Sequence, residues 1–234
     1  MHNKLITLKG ISKVFRVGEE NFTALNGINL QIESGAFMSF VGPSGSGKTT
    51  LLNLIGGLDV PTTGDLFFKH TKLSSMNRVQ MAKYRRENIG FIFQTYNLLP
   101  VYSVYENVEL PLILNKIEKN KRKTMVLDAI ESVGLSDKIS SKPNQLSGGQ
   151  CQRTAIARAI VHRPSLVLAD EPTANLDSEN SHHIMKIMKD LNRDLDTSFI
   201  FATHDDKIMG YLKRIIYLED GQICKDKEIK KPKY

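Results

Sequence analysis

The chain has 234 residues, 41% of them hydrophobic and 24% charged, with two cysteines and a formal net charge of +7. That is ordinary globular composition, enough for one large domain or two lobes around a sizeable core. Cys151 and Cys224 fit neither a zinc-ligand spacing nor a disulfide framework. The first ten residues lack the apolar stretch of a secretory signal, and no run of 18 apolar residues could span a membrane. A reducing, cytosolic setting follows. The positive charge is not gathered with stacking aromatics, so no nucleic-acid partner is expected.

In chain order, Phe37-Met38-Ser39-Phe40-Val41 is a short apolar run ending at Gly42, the pattern of a buried strand feeding a glycine turn. A helix is predicted from about Thr49 to Ile55. Another apolar run, Ile89 to Phe93, leads into Gln94. Residues 104–133 read as two helices, the second presenting Met125, Val126, Ala129, Ile130 and Val133 on one face, with Gly134 at a C-cap position. A further helix begins after Leu146-Ser147 and runs to about Arg163, where Pro164 stops it. Ser165 to Ala169 and Ser198 to Ala202 repeat the buried-strand pattern, ending in Asp170-Glu171 and in Thr203-His204. Ile184, Ile187, Met188, Leu191 and Leu195 recur at helical spacing between them. His182 and His183 fall at the start of that helix, where they are expected to be solvated. Ile215 to Leu218 suggests a last strand, followed by a turn and a lysine-rich tail from Lys225 to Lys233. The tail is expected to be a solvated, frayed terminus, with attraction to an anionic membrane as the sharper alternative. These elements imply an α/β core, residues 1–94 and 165–234, interrupted by a helical subdomain at 95–164.

Polar chemistry sits at the carboxyl end of each apolar run, where open α/β sheets place their ligands. Gly42-Pro43-Ser44-Gly45-Ser46-Gly47-Lys48-Thr49 matches the phosphate-binding pattern G-x-x-x-x-G-K-[ST], with Thr50 following. Its glycines let backbone N–H groups converge on phosphate oxygens, and the helix that follows points its positive end at the same anion. Lys48 supplies charge for the β and γ phosphates, and Thr49 offers a hydroxyl to Mg²⁺. Asp170, at a strand end, suits the acid linked to Mg²⁺, and Glu171 beside it can orient and deprotonate water. His204 is expected to touch the γ-phosphate from the next strand end. Gln94 could reach Mg²⁺ or water. Ser147-Gly148-Gly149-Gln150 has capping-box spacing and makes a second helix N-terminus suited to an anion. One nucleotide does not need both helix ends within one chain. Two copies placed head to tail resolve this, with each nucleotide between the loop of one and the Ser-Gly-Gly of the other.

Together the loop at 42–49, Leu146-Ser147-Gly148-Gly149-Gln150, Asp170-Glu171 and His204 resemble the nucleotide-binding subunit of an ABC transporter, across essentially the whole chain. The resemblance implies a phosphate-loop NTPase (ABC ATPase) core with an antiparallel β portion and a helical subdomain. It implies ATP and Mg²⁺ as cofactors, a dimer that sandwiches ATP, and separate transmembrane permease subunits, with this chain peripheral on the inner face of the membrane. It also implies that Gln94 couples the core to the helical lobe. Asn175-Leu176-Asp177 would cross the dimer interface, and Phe15 would stack on adenine where Tyr is usual.

Phe91-Ile92-Phe93-Gln94, Tyr96-Asn97-Leu98-Leu99-Pro100, Glu106-Asn107-Val108 and Leu110-Pro111-Leu112 resemble the lipoprotein-releasing and macrolide-exporter branch, and so does Arg85-Arg86-Glu87-Asn88-Ile89-Gly90. An ATPase driving a non-transport signalling complex of the cell-division type is the alternative, because its ATPase side would look the same. ABC-type ATPases acting on DNA or ribosomes usually carry coiled-coil insertions or two fused cassettes, and this chain has neither. Two departures stand out: Ala174 where Gly is common, and Cys151 where a polar or charged residue is common. At a helix N-terminus Cys151 is either a thiol of lowered pKa or an inert packed residue.

Overall fold

The computed structural model describes residues 4–203, 205–230 and 232–234, with backbone alone at 206 and 207. Two long strands open the chain, β1 (Lys4–Val17) and β2 (Glu20–Glu33). A two-residue loop joins them, with Gly18 at φ 64°, the kind of turn that keeps paired strands twisting together. They form an antiparallel sheet with β4 (Thr63–Phe68) and β5 (Thr71–Lys72), in the order β2-β1-β4-β5.

The second sheet has six strands in the order β10-β9-β3-β8-β7-β6. These are β3 (Phe37–Val41), β6 (Ile89–Ile92), β7 (Leu166–Asp170), β8 (Ser198–Ala202), β9 (Arg214–Glu219) and β10 (Gln222–Glu228). All but the edge strand β10 run parallel. The central strands β3, β7 and β8 are mostly apolar and buried along nearly their whole length because both faces are covered, and alternate residues serve different cores. Phe37, Val167, Ala169, Phe199 and Phe201 face one core. Met38, Phe40, Leu166, Leu168, Ile200 and Ala202 face the other.

The second core lies between the two sheets and includes the helix α1 (Lys48–Ile55), through Leu51, Leu52, Leu54 and Ile55. Tyr84 of α2 (Arg78–Asn88) also reaches it and donates its hydroxyl to the Ile55 carbonyl at 2.9 Å. The first core is closed by α3 (Val104–Leu114), α4 (Lys119–Ser132), α5 (Gly148–Ile160) and α6 (Ser178–Leu195), with the short α7 (Asp206–Met209) nearby. Each long helix is started by a side chain that accepts from its first turn: Asn77, Ser103, Glu118, Ser147 and Asp177. Gly134 ends α4 at φ 66°, as its position implied.

Three sequence expectations need correction. The helix α5 stops at Ile160 rather than near Arg163. Arg163 is left-handed at φ 52°, and Pro164 after it disfavours continuing the helix. His182 is not simply solvated. Its Nδ1 lies 3.0 Å from the Tyr211 hydroxyl and its ring packs against Tyr211 and Tyr234; His183 is exposed. The basic tail is not frayed, since Lys225 and Lys227 sit in β10, paired with Tyr217 and Ile215, their side chains exposed. Farther on, Tyr234 stacks on Tyr211 with ring centroids 4.9 Å apart, and Lys233 and Tyr234 both donate backbone N–H groups to the Gly210 carbonyl. For Cys151, where two readings were open, the residue is buried with its Sγ 3.6 Å from the Pro143 carbonyl. Burial pushes the thiol's pKa up, which favours the inert reading over the reactive one.

Candidate active site

The carboxyl ends of β3, β7 and β8 lie side by side, and a cleft of about 510 Å³ opens over them. The loop after β3 folds as the glycines require. Gly45 and Gly47 have φ of 82° and 98°, a region that residues with a Cβ avoid. At Gly42 a Cβ would lie 2.1 Å from the Leu218 carbonyl oxygen, so no other residue fits there. The Lys48 side chain folds back over the loop and donates to the carbonyls of Gly42 and Pro43, both at 2.8 Å. Among the described residues, the buried Ser46 hydroxyl has no hydrogen-bond partner.

Across the cleft, β7 delivers Asp170 against this loop. The Thr49 hydroxyl donates to Asp170 Oδ1 at 3.2 Å. Burial raises the Asp170 pKa, and the neighbouring Glu171 charge adds to that, against the lowering effects of Thr49 and Lys48. Glu171 has left-handed backbone, φ 46°, rare for a residue with a side chain. Its N–H is held by the Ala202 carbonyl at 2.9 Å, and its Oε2 accepts from the Thr203 hydroxyl at 3.0 Å. Gln94, just past β6, reaches the same cleft, while the Asn175 side-chain amide donates to its carbonyl at 2.9 Å.

The cleft thus gathers loop residues 43–45 and 47–50 with Gln94, Asp170 and Glu171; Gly42 and Ser46 support it from behind. His204 lies outside the described residues. Ser147, Gly148, Gly149 and Gln150 do not line the cleft of their own chain. They form a capping box, with Ser147 N–H donating to Gln150 Oε1 at 2.8 Å and Gln150 N–H donating to Ser147 Oγ at 3.3 Å. Phe15 does not line the cleft either. Its register partner on β2, Phe22, does. The Lys13 ammonium lies 4.9 Å from the centre of the Phe15 ring. Phe22 went unnoticed in the sequence, although pairing outward from the Gly18 turn sets it opposite Phe15.

A glycine cradle that a Cβ would fill, an ammonium held over it, an orphaned buried hydroxyl and a hydroxyl–carboxylate pair make a site built for a nucleoside triphosphate with a divalent cation. The fold and site define a phosphate-loop ATPase with a helical insertion. A profile of the family described as ABC transporter matches residues 25–174. An ABC transporter ATP-binding protein of Methanocaldococcus jannaschii, MJ0796, is 42% identical over 97% of this chain and 98% of its own length. The lipoprotein-releasing system ATP-binding protein LolD of Pseudoalteromonas translucida is 41% identical over 95% and 96%. The macrolide export ATP-binding/permease protein MacB of Rhodopirellula baltica is 41% identical over 95% of this chain and 33% of its own length. A dimeric post-hydrolysis structure of the MJ0796 cassette bound to ADP and Pi superposes with a TM-score of 0.88, covering 96% of this chain and 98% of that one at 41% identity. This chain belongs to the ABC transporter family and is its ATP-binding, ATP-hydrolysing component. Among the described residues, no helix is long and apolar enough to cross a membrane.

Proposed function

We propose that two copies of this chain close head to tail on two Mg²⁺–ATP and drive separate transmembrane subunits, in a complex of the lipoprotein-releasing or macrolide-exporting kind, peripheral on the cytoplasmic face of the membrane. The observation that carries the ATPase reading is the Thr49–Asp170 contact, which sets a hydroxyl and a carboxylate beside Lys48 with Glu171 next in line. Lys48 and the loop amides bind the β and γ phosphates. Thr49 and Asp170 would hold Mg²⁺, which would supply positive charge to offset that of the phosphates. Glu171 orients a water and takes its proton, held to that task by its strained backbone and by Thr203. Gln94 and His204 complete the surroundings of the γ-phosphate. The dimer rests on a separate point: Ser147 to Gln150 present a helix N-terminus that their own chain's cleft does not use. Co-purification from native membranes tests the partner. A transmembrane subunit with a large extracytoplasmic domain is expected, and a cell-wall-acting complex in its place would favour the signalling alternative.

Asp170→Asn separates chemistry from stability. A carboxyl whose folded pKa is raised makes the folded state prefer the proton, so it costs stability as pH rises through that pKa. The amide removes this cost. The nucleotide-free variant is expected to melt no lower than wild type at neutral pH, while its Mg²⁺-dependent hydrolysis falls at least about tenfold. A loss of activity matched by a lower melting temperature would contradict the assignment.

Phe22, 54% exposed at the cleft wall, supplies the aromatic face nearest the phosphates. Stacking is worth roughly 1–3 kcal/mol per base, so Phe22→Ala should weaken ATP binding about fivefold or more and leave inorganic tripolyphosphate binding unchanged. Equal weakening of both, measured by calorimetry, would assign the effect to a distorted loop.

A further inference from the structure

The backbone just after Gln94 is strained. Tyr96 and Asn97 are consecutive non-glycine residues with left-handed φ, 61° and 47°, and such a pair persists only where the surroundings hold it. Arg158, in the last turn of α5, does the holding. It donates from Nη2 to the Tyr96 carbonyl at 2.7 Å and from Nη1 to the Asn97 carbonyl at 2.6 Å. Among the described residues no carboxylate pairs with this guanidinium, so its charge is met by two carbonyl dipoles and its planar fork fixes their spacing.

The other end of the arrangement is rigid too. At Gly90 a Cβ would lie 2.2 Å from the Ala159 carbonyl oxygen, so α5 sits directly on β6 at the residue after Arg158. Gln152, on the same helix, is fully buried and donates to the Pro172 carbonyl, two residues past Asp170, at 2.7 Å. One helix of 13 residues, about 20 Å long, therefore touches the Gln94 loop and the Glu171 loop, and it carries Ser147 to Gln150 at its far end.

We propose that Arg158 is a positioning residue for hydrolysis: it fixes the Gln94 loop to α5, so that Gln94 and the Ser147 segment hold one geometry and move as one unit. The catalytic part of this rests on Gln94 serving the γ-phosphate, and the experiment separates the two.

Arg158→Met, Arg158→Lys, Gln94→Ala and the Gln94→Ala/Arg158→Met pair are compared by steady-state ATP hydrolysis. Amide hydrogen exchange across residues 93–98 is followed in the same proteins. Arg158→Met is expected to speed exchange in that loop and to lower kcat about tenfold, with KM for ATP within about twofold, since it leaves two carbonyls unpaired and the phosphate loop untouched. Arg158→Lys, which keeps the charge but not the fork, should fall between. In the Gln94→Ala background, Arg158→Met should cost less than about a further twofold, because both changes act through one group. Unchanged exchange in the loop, or losses that multiply in the pair, would overturn the proposal. Wild-type kcat for Gln94→Ala alone would instead remove the role given to Gln94, and the exchange result would then decide the strut by itself. If the methionine variant does not fold, the lysine variant decides by the same measurements.

Discussion

Glu171→Gln is expected to bind ATP as tightly as wild type and to hydrolyse it about 10²–10⁴-fold more slowly, the range a positioned general base contributes. The amide keeps the size of the side chain and a carbonyl oxygen that accepts from Thr203 as Glu171 Oε2 does. It cannot take a proton from water. With the γ-phosphate retained, the closed dimer should accumulate in ATP and not in ADP, as read by size-exclusion chromatography with light scattering. Turnover within a few fold of wild type would show that another group is the base. Loss of ATP binding would point to a damaged loop, for which the strained Glu171 backbone is the place to look.

Ser147→Arg is expected to abolish hydrolysis while the isolated chain still binds ATP. The phosphate loop and Ser147 belong to different sites of one chain, since Ser147 does not line its own cleft. A bulky cation at that helix end would fill the space the partner's γ-phosphate must enter. The substitution also removes a helix cap, because Ser147 Oγ accepts from Gln150 N–H, and such a cap is worth about 1 kcal/mol. Ser147→Ala removes the cap without adding bulk. It should therefore keep much of the activity that Ser147→Arg loses. Equal loss in both would assign the effect to the helix cap, and loss of ATP binding by the Ser147→Arg monomer would undo the separation of the two sites.

The phosphate loop was legible in the sequence because glycine spacing, Lys48 and Thr49 encode a backbone conformation that no other residues reach. The strands under it were legible too, since Phe37–Val41, Leu166–Asp170 and Ser198–Ala202 are short, apolar and buried on both faces. Other features depend on contacts between segments far apart in the chain. The place of Cys151 in the first turn of α5 left a reactive and an inert reading open, and its burial against the Pro143 backbone favours the inert one. His182 acquires its partners from Tyr211 and Tyr234, 29 and 52 positions away. Helix α2 went unread because Arg78–Asn88 is mostly polar, with only Met81 and Tyr84 buried. Arg158 carries no local signal, since its partners are strained carbonyls more than 60 residues earlier. Phe22 was readable and missed: the two-residue loop at Gly18 fixes the register that places it opposite Phe15.

The central claim is that each ATP lies between the phosphate loop of one copy and the Ser147 segment of another. Cross-linking of mixed single-cysteine variants tests it most directly. In the Glu171→Gln, Cys224→Ser background, only the buried Cys151 remains of the native thiols. One preparation then carries Ser44→Cys on the phosphate loop and the other Ser147→Cys, and a short bis-maleimide is added to each alone and to the mixture. Head-to-tail closure predicts a covalent dimer in the mixture, with ATP and not with ADP, and none from either variant alone. A cross-link between two Ser147→Cys chains, or no ATP-dependent cross-link in the mixture, would contradict the account.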